Sequence, residues 1–169
     1  MARLFVAVWP PDDVLEPLRA LGRKDRRGVR FVRPENWHIT LRFLGEAGPA
    51  MVAAALDRAP LPAARARLGP AVDVLAERAL VVPVAGLDEL AAAVVGATSD
   101  LGERPRKRFT GHLTLARLHR RATMPEALGT LVAGDFDVTE VALVQSRLHP
   151  DGARYETLGN WPTEGRPGS

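Results

Sequence analysis

The chain has 169 residues, 46% of them hydrophobic, enough for one domain with a real core, though two small lobes would also fit. It contains no Cys, which excludes disulfides, thiolate nucleophiles and Cys metal sites and fits a cytoplasmic location. Lys and Arg number 23 against 20 Asp and Glu; the surplus is mild, no apolar run approaches the ~20 residues of a membrane span, and no charged-then-apolar start marks a signal peptide.

In chain order, the apolar run at 3–9 suits a central strand, ended by Pro10-Pro11. Asp12 or Asp13 can cap a helix reaching about residue 21, with Val14, Leu15, Leu18 and Leu21 on one stripe and Pro17 as a source of distortion. After a basic loop at 22–28, strands are expected at 29–32 and 37–44, separated by a turn at Pro34-Glu35-Asn36. A helix at 50–58 stops at Pro60-Leu61-Pro62, and strands could follow at 64–68, 71–75 and 79–84. An Ala- and Leu-rich helix is expected over 87–101, with Asp88 and Glu89 near its positive end. Then come a basic linker at 102–108, a strand at 111–118, a short helix at 124–131 and a long strand at 136–147. His149-Pro150-Asp151-Gly152 signals a hairpin, and 154–158 pairs back. Residues 1–162 read as one unit and 163–169 as a flexible tail. Short strands and helices out of regular alternation give an α+β fold with antiparallel or mixed sheet.

One tetrad occurs twice in this frame: His38-Ile39-Thr40-Leu41 and His112-Leu113-Thr114-Leu115. Residues two apart in a strand share a face, so each copy sets an imidazole beside a hydroxyl, roughly 7 Å apart. A lone His-x-Thr in a strand is usually a packed structural pair. Two copies in a chain with four His are harder to dismiss. If the two strands face each other, two His and two Thr line one cleft.

Arg23, Lys24, Arg26, Arg27, Arg30 and Arg33 precede the first tetrad; Arg104, Arg106, Lys107 and Arg108 precede the second, and Arg117, Arg120 and Arg121 follow it. Such clusters suit a polyanion such as RNA, although Arg-rich loops also serve solubility alone.

Three chemistries compete. Two His are an incomplete zinc set, and neither tetrad has the spacing that completes one. A Thr nucleophile with a His base lacks the usual strand-to-helix elbow. A His pair acting as general base and general acid uses every member of both tetrads, with the Thr hydroxyls donating to phosphoryl oxygens.

The runs His38-Ile39-Thr40-Leu41-Arg42-Phe43-Leu44-Gly45 and His112-Leu113-Thr114-Leu115-Ala116-Arg117 resemble the two signature motifs of the 2H phosphoesterase superfamily. Within it the chain is most similar to the RNA 2′,3′-cyclic phosphodiesterases, historically called 2′-5′ RNA ligases. The opening Arg3-Leu4-Phe5-Val6-Ala7-Val8 and the closing Gln145-Ser146-Arg147-Leu148 through Arg154-Tyr155-Glu156-Thr157-Leu158 resemble that group too.

The resemblance implies two pseudo-symmetric lobes with outer helices and a central cleft, and metal-independent, cofactor-free opening of RNA or nucleotide 2′,3′-cyclic phosphate ends to 2′-phosphomonoesters. Reverse 2′-5′ ligation would use the same site. His38 and His112 take the catalytic positions, His112 as base and His38 as acid. Thr40, Thr114 and Arg117 take the phosphate-binding ones. No membrane and no obligate protein partner is implied; a non-catalytic RNA-end-binding module is the alternative. Two departures stand out: the stretch 79–84 lacks the Trp many relatives carry, and Gly111 stands where relatives often have Pro.

An unbulged strand would turn Phe43 into the core, opposite His38 and Thr40. His119 reads as a surface residue and His149 as a loop residue. Trp9, Trp37 and Trp161 read as core or lid, and Tyr155 stays open.

Overall fold

A computed structural model describes residues 2–164. In order these form β1 (Ala2–Val8), α1 (Asp12–Arg19), β2 (Val29–Phe31), β3 (Ile39–Ala47), α2 (Pro49–Asp57), β4 (Ala64–Leu68), β5 (Asp73–Leu75), β6 (Ala79–Ala85), α3 (Asp88–Ala97), β7 (His112–Leu118), β8 (Gly134–Val138), β9 (Glu140–His149) and β10 (Gly152–Pro162). The strands make one sheet, ordered β10-β9-β1-β3-β7-β6-β4-β8, with β2 beside β7 and β5 beside β6. Every registered strand pair is antiparallel, so the fold is α+β without the mixed option.

β1 is buried from Leu4 to Val8, as a continuous apolar run in a strand covered on both sides must be. Leu4, Val6 and Val8 enter the main core. Phe5 and Ala7 point the other way, into a small cluster with Ala142 and Val144 against which Trp9 and Tyr155 pack. That small cluster lies beneath the candidate site. β8 and β9 are separated only by Thr139, yet β8 ends the strand order and β9 is second from its other end. The sheet must therefore curl until its ends approach. Thr163 ties them, its N–H donating to Thr139 O at 2.9 Å and its hydroxyl to Val138 O at 2.8 Å.

Several expectations need correction. The strand expected over 136–147 is two strands, because the chain changes partners at Thr139: β8 pairs with β4 and β9 with β1. The helix expected at 124–131 is a set of turns; its backbone pairs instead with the segment before β5, Gly129 N–H donating to Val72 O and Val72 N–H to Thr130 O, both at 2.9 Å. α3 stops at Ala97, short of residue 101. The reason is Arg42, buried at 3% exposure, whose Nη2 donates to the carbonyls of Thr98, Leu101 and Glu103 at 3.2, 2.6 and 3.2 Å. A guanidinium that takes those carbonyls replaces further helical turns. α1 keeps Pro17 inside it, and its N-cap is Pro11, so Asp12 and Asp13 sit in the first turn and favour its dipole rather than cap it.

Among the described residues no helix is long and apolar enough to cross a membrane. Of the expected tail, Thr163 and Glu164 are described and hydrogen-bonded; 165–169 lie outside the described residues.

Candidate active site

The strand order divides into two halves of four, β10-β9-β1-β3 and β7-β6-β4-β8, and β3 meets β7 through a single registered pair, Ile39 with Leu113. Each of those residues directly follows its His. One step to either side, the antiparallel direction sets Thr40 alongside His112 and His38 alongside Thr114. Ile39 and Leu113 are fully buried, so the four polar groups emerge on the opposite face. β7 starts at His112, whereas His38 stands just ahead of β3.

Each tetrad also carries a β-bulge at its final Leu. Val6 pairs with Arg42 and Ala7 with Thr40, which skips Leu41. Leu80 pairs with Ala116 and Val81 with Thr114, which skips Leu115. An extra residue reverses the alternation beyond it. Arg42 and Ala116 therefore turn inward and are buried, while Phe43 and Arg117 turn outward. This overturns the core placement of Phe43, which is 42% exposed, with the Arg3 guanidinium 5.2 Å from its ring centroid. The matching bulge at Leu115 brings Arg117 to the face of His112 and Thr114.

His38, Thr40, His112, Thr114 and Arg117 line one cleft of about 350 Å³. The structure brings all five residues together there. Each His is held in the same way: Nδ1 donates to the carbonyl two residues back, Asn36 O at 2.7 Å for His38 and Thr110 O at 2.6 Å for His112. That bond leaves Nε2 to the cleft. His38 Nε2 lies 3.0 Å from Thr40 Oγ1. Among the described residues Thr114 has no such bond to His112.

The surroundings of the two imidazoles differ. His38 stacks on Phe5 at 4.8 Å and meets the edges of Trp9 at 5.6 Å and Tyr155 at 5.3 Å. Burial in this aromatic sleeve pushes the His38 pKa below its ordinary value; the Asn36 carbonyl works against the fall, and the charges of Arg117 and His112 add to it. Burial raises the Tyr155 pKa, with Arg117 opposing. Among the described residues no ring packs on His112, but its backbone is tightly set. A Cβ at Gly111 would stand 2.2 Å from Val84 O, so the strand approach beside His112 requires glycine.

Other residues share the cleft; from the sequence, Arg30 and Arg33 stand only as part of a basic cluster, Tyr155 stays open, His149 reads as a loop residue and Asn36 is unmarked. Arg30, Arg33 and Asn36 line it, as do Tyr155 and the β9–β10 hairpin with His149. Asn36 Nδ2 donates to Ala153 O at 3.1 Å, which pins the His38 loop to that hairpin. No motif flags Asn36, because its role depends on a partner more than a hundred residues away. His119 is exposed and lies off the cleft. Trp37 is core, and Trp161 packs on the core and donates to Asp57 Oδ1 at 2.7 Å. A second groove, mostly apolar, meets the first at Thr40 and His112 and is walled by Phe43, Val95, Pro105 and Phe109. Among the described residues no three His, Cys, Asp or Glu side chains gather to hold a metal ion.

The chain is similar in sequence and in fold to known proteins. The family described as LigT like Phosphoesterase matches residues 8–68. An Archaeoglobus fulgidus protein named RNA 2′,3′-cyclic phosphodiesterase is 32% identical, over 92% of this chain and 97% of its own. A solved Thermus thermophilus structure superposes with TM-score 0.80 at 32% identity, covering 96% of this chain and 98% of that one. The structure of Escherichia coli LigT complexed with 3′-AMP gives TM-score 0.75 at 25% identity, covering 97% and 99%.

Proposed function

The chain belongs to the LigT-like phosphoesterase family, and from that premise we propose that it opens RNA 2′,3′-cyclic phosphate ends to 2′-phosphomonoesters by metal-independent acid–base catalysis. The observation that carries this is the shared cleft: two His-x-Thr units on bulged strands, joined at Ile39 and Leu113, with both Nε2 atoms free of the backbone. Binding alone would not need two imidazoles fixed in the same tautomer.

The reaction follows from the chemistry of those groups. Water attacks phosphorus and gives its proton to His112 Nε2. The P–O3′ bond breaks, and O3′ takes a proton from His38 Nε2, leaving a 2′-phosphate and a 3′-hydroxyl. Burial disfavours the His38 imidazolium that the acid role needs, and a phosphate anion bound in the cleft opposes that by favouring the cation. Thr40 and Thr114 donate to the non-bridging oxygens, and Arg117 neutralises charge as it builds. An RNA 5′-hydroxyl in place of water would form a 2′-5′ linkage at the same site.

The test is turnover of a 2′,3′-cyclic nucleotide in EDTA with the product identified by phosphorus NMR. A 2′-phosphate formed at an undiminished rate is expected. Loss on chelation with recovery by a divalent ion would reject the metal-free mechanism, and a 3′-phosphate product would reject the assigned leaving group.

A further inference from the structure

β2 lies antiparallel to β7 with Arg30 directly opposite Arg117. Like charges in that position repel and destabilise a strand pair. Neither Arg forms an ion pair among the described residues. Arg33 follows two residues after β2 ends, and all three Arg line the cleft. The cleft's one carboxylate among the described residues, Asp151, is 3.7 Å from Arg154. Arg30 itself reaches the hairpin wall: a Cβ on Gly152 would stand 3.4 Å from its Nη2. A repelling pair with no acid to relieve it is a place for an anion.

The position of this pair says which anion. The cleft and the more apolar groove meet at Thr40 and His112, the neck to which the phosphodiesterase reading assigns the reacting phosphate. In a ribose 2′,3′-cyclic phosphate the ring is fused at C2′–C3′. C1′, with the base, lies beyond one end of that bond; C4′, with the 5′ arm, lies beyond the other. A substrate held at the neck therefore sends its base and its 5′ arm to opposite sides. The groove has the larger apolar wall, which suits a base; Arg104, Arg106 and Lys107 also line it, but the repelling Arg30–Arg117 pair is in the cleft, which suits the 5′ phosphate.

Resting on the phosphodiesterase reading above, we propose that Arg30, with Arg33 beside it, forms a second phosphate subsite. It binds the 5′ phosphate of the nucleotide bearing the cyclic end, so the enzyme selects RNA ends over free cyclic nucleosides.

The test uses two matched pairs. Adenosine 2′,3′-cyclic phosphate, with and without a 5′ phosphate, reports turnover. Adenosine 2′,5′-bisphosphate against adenosine 2′-monophosphate reports binding by calorimetry, without any reaction. One charge-assisted contact should make each 5′-phosphorylated member about tenfold better in kcat/KM or Kd. Arg30→Gln should bring both ratios close to one, and Arg30→Lys, which keeps the charge, should retain part of the preference. Wild-type protein indifferent to the 5′ phosphate would overturn the proposal. So would a preference that survives in Arg30→Gln or is lost in Lys107→Gln instead. If neither cyclic nucleotide turned over while the bisphosphate still bound better through Arg30, the activity reading would fail and the subsite would stand.

Discussion

The two tetrads have the same local geometry and different surroundings. Both carry the bulge at the last Leu, both hold Nδ1 on the carbonyl two residues back, and both place His and Thr on one face. Yet His38 is enclosed by Phe5, Trp9 and Tyr155, and its Nε2 faces the Thr40 hydroxyl, whereas among the described residues His112 has neither arrangement. Beyond the bulges, the buried position holds Arg42 in one half and Ala116 in the other, and the outward position holds Phe43 in one and Arg117 in the other. A repeated backbone thus supplies a symmetric clamp, and the side chains around it make the halves unequal. The lesson is that the motif sets the position of a catalytic group while its neighbours set its chemistry.

The widest separation should come from removing each imidazole. His38→Ala and His112→Ala should each lose on the order of 10²–10⁴ in rate on a 2′,3′-cyclic nucleotide. A substrate with an activated 3′ leaving group needs no acid, so it should restore His38→Ala and leave His112→Ala slow. The opposite pattern would exchange the roles.

The Thr pair comes next. Thr40→Val and Thr114→Val should each cost on the order of 100-fold in kcat, and Thr→Ser should be much milder at both positions. Only Thr40→Val should also move the pH profile, because only Thr40 bonds an imidazole among the described residues. Equal loss from Ser and Val would assign the Thr a packing role instead.

The joint between the halves can be loosened without touching a polar group. Leu113→Ala leaves a cavity at a fully buried position and should cost about 2–5 kcal/mol of stability in denaturant unfolding. A loss well under 1 kcal/mol would mean that the halves do not depend on this contact.

The smallest effect concerns the aromatic sleeve. Tyr155→Leu opens one side of His38 to water, so NMR titration should show its pKa rising towards the ordinary value. The sign for stability follows from the same shift. In the unfolded chain His38 takes up a proton near its ordinary pKa of 6.5, while in the folded protein burial resists protonation. Between the two pKa values the unfolded state binds more protons, so stability falls as the pH drops below the ordinary value towards the lowered one. Wild-type protein should lose stability across that window, and His38→Phe should flatten the loss. An unchanged slope would assign the acid sensitivity to other groups.

Much of this was legible in the sequence because it is local. The apolar run of β1, the stripe of α1 and the two tetrads are set by side-chain period and polarity within a few residues, and they hold in the structure with small shifts of boundary. The placement of Phe43 failed because a bulge depends on how the partner strand registers, and Leu41 looks like any other strand Leu until Val6 and Ala7 are paired with its neighbours. The end of α3 was hidden for a similar reason: Arg42, more than fifty positions earlier, takes the carbonyls of Thr98 and Leu101 just beyond it. The strand at 136–147 read as one because period cannot reveal a change of partner.

By itself, then, the sequence determined which groups are available, two imidazoles and two hydroxyls in matched local frames, since residue type and strand period are properties of neighbours in the chain. Only the tertiary structure decided that Ile39 meets Leu113, that Arg30 stands against Arg117, and that one imidazole is enclosed by rings while the other is open. Those contacts join segments tens of residues apart, and their energies depend on register, burial and the charges that folding brings near.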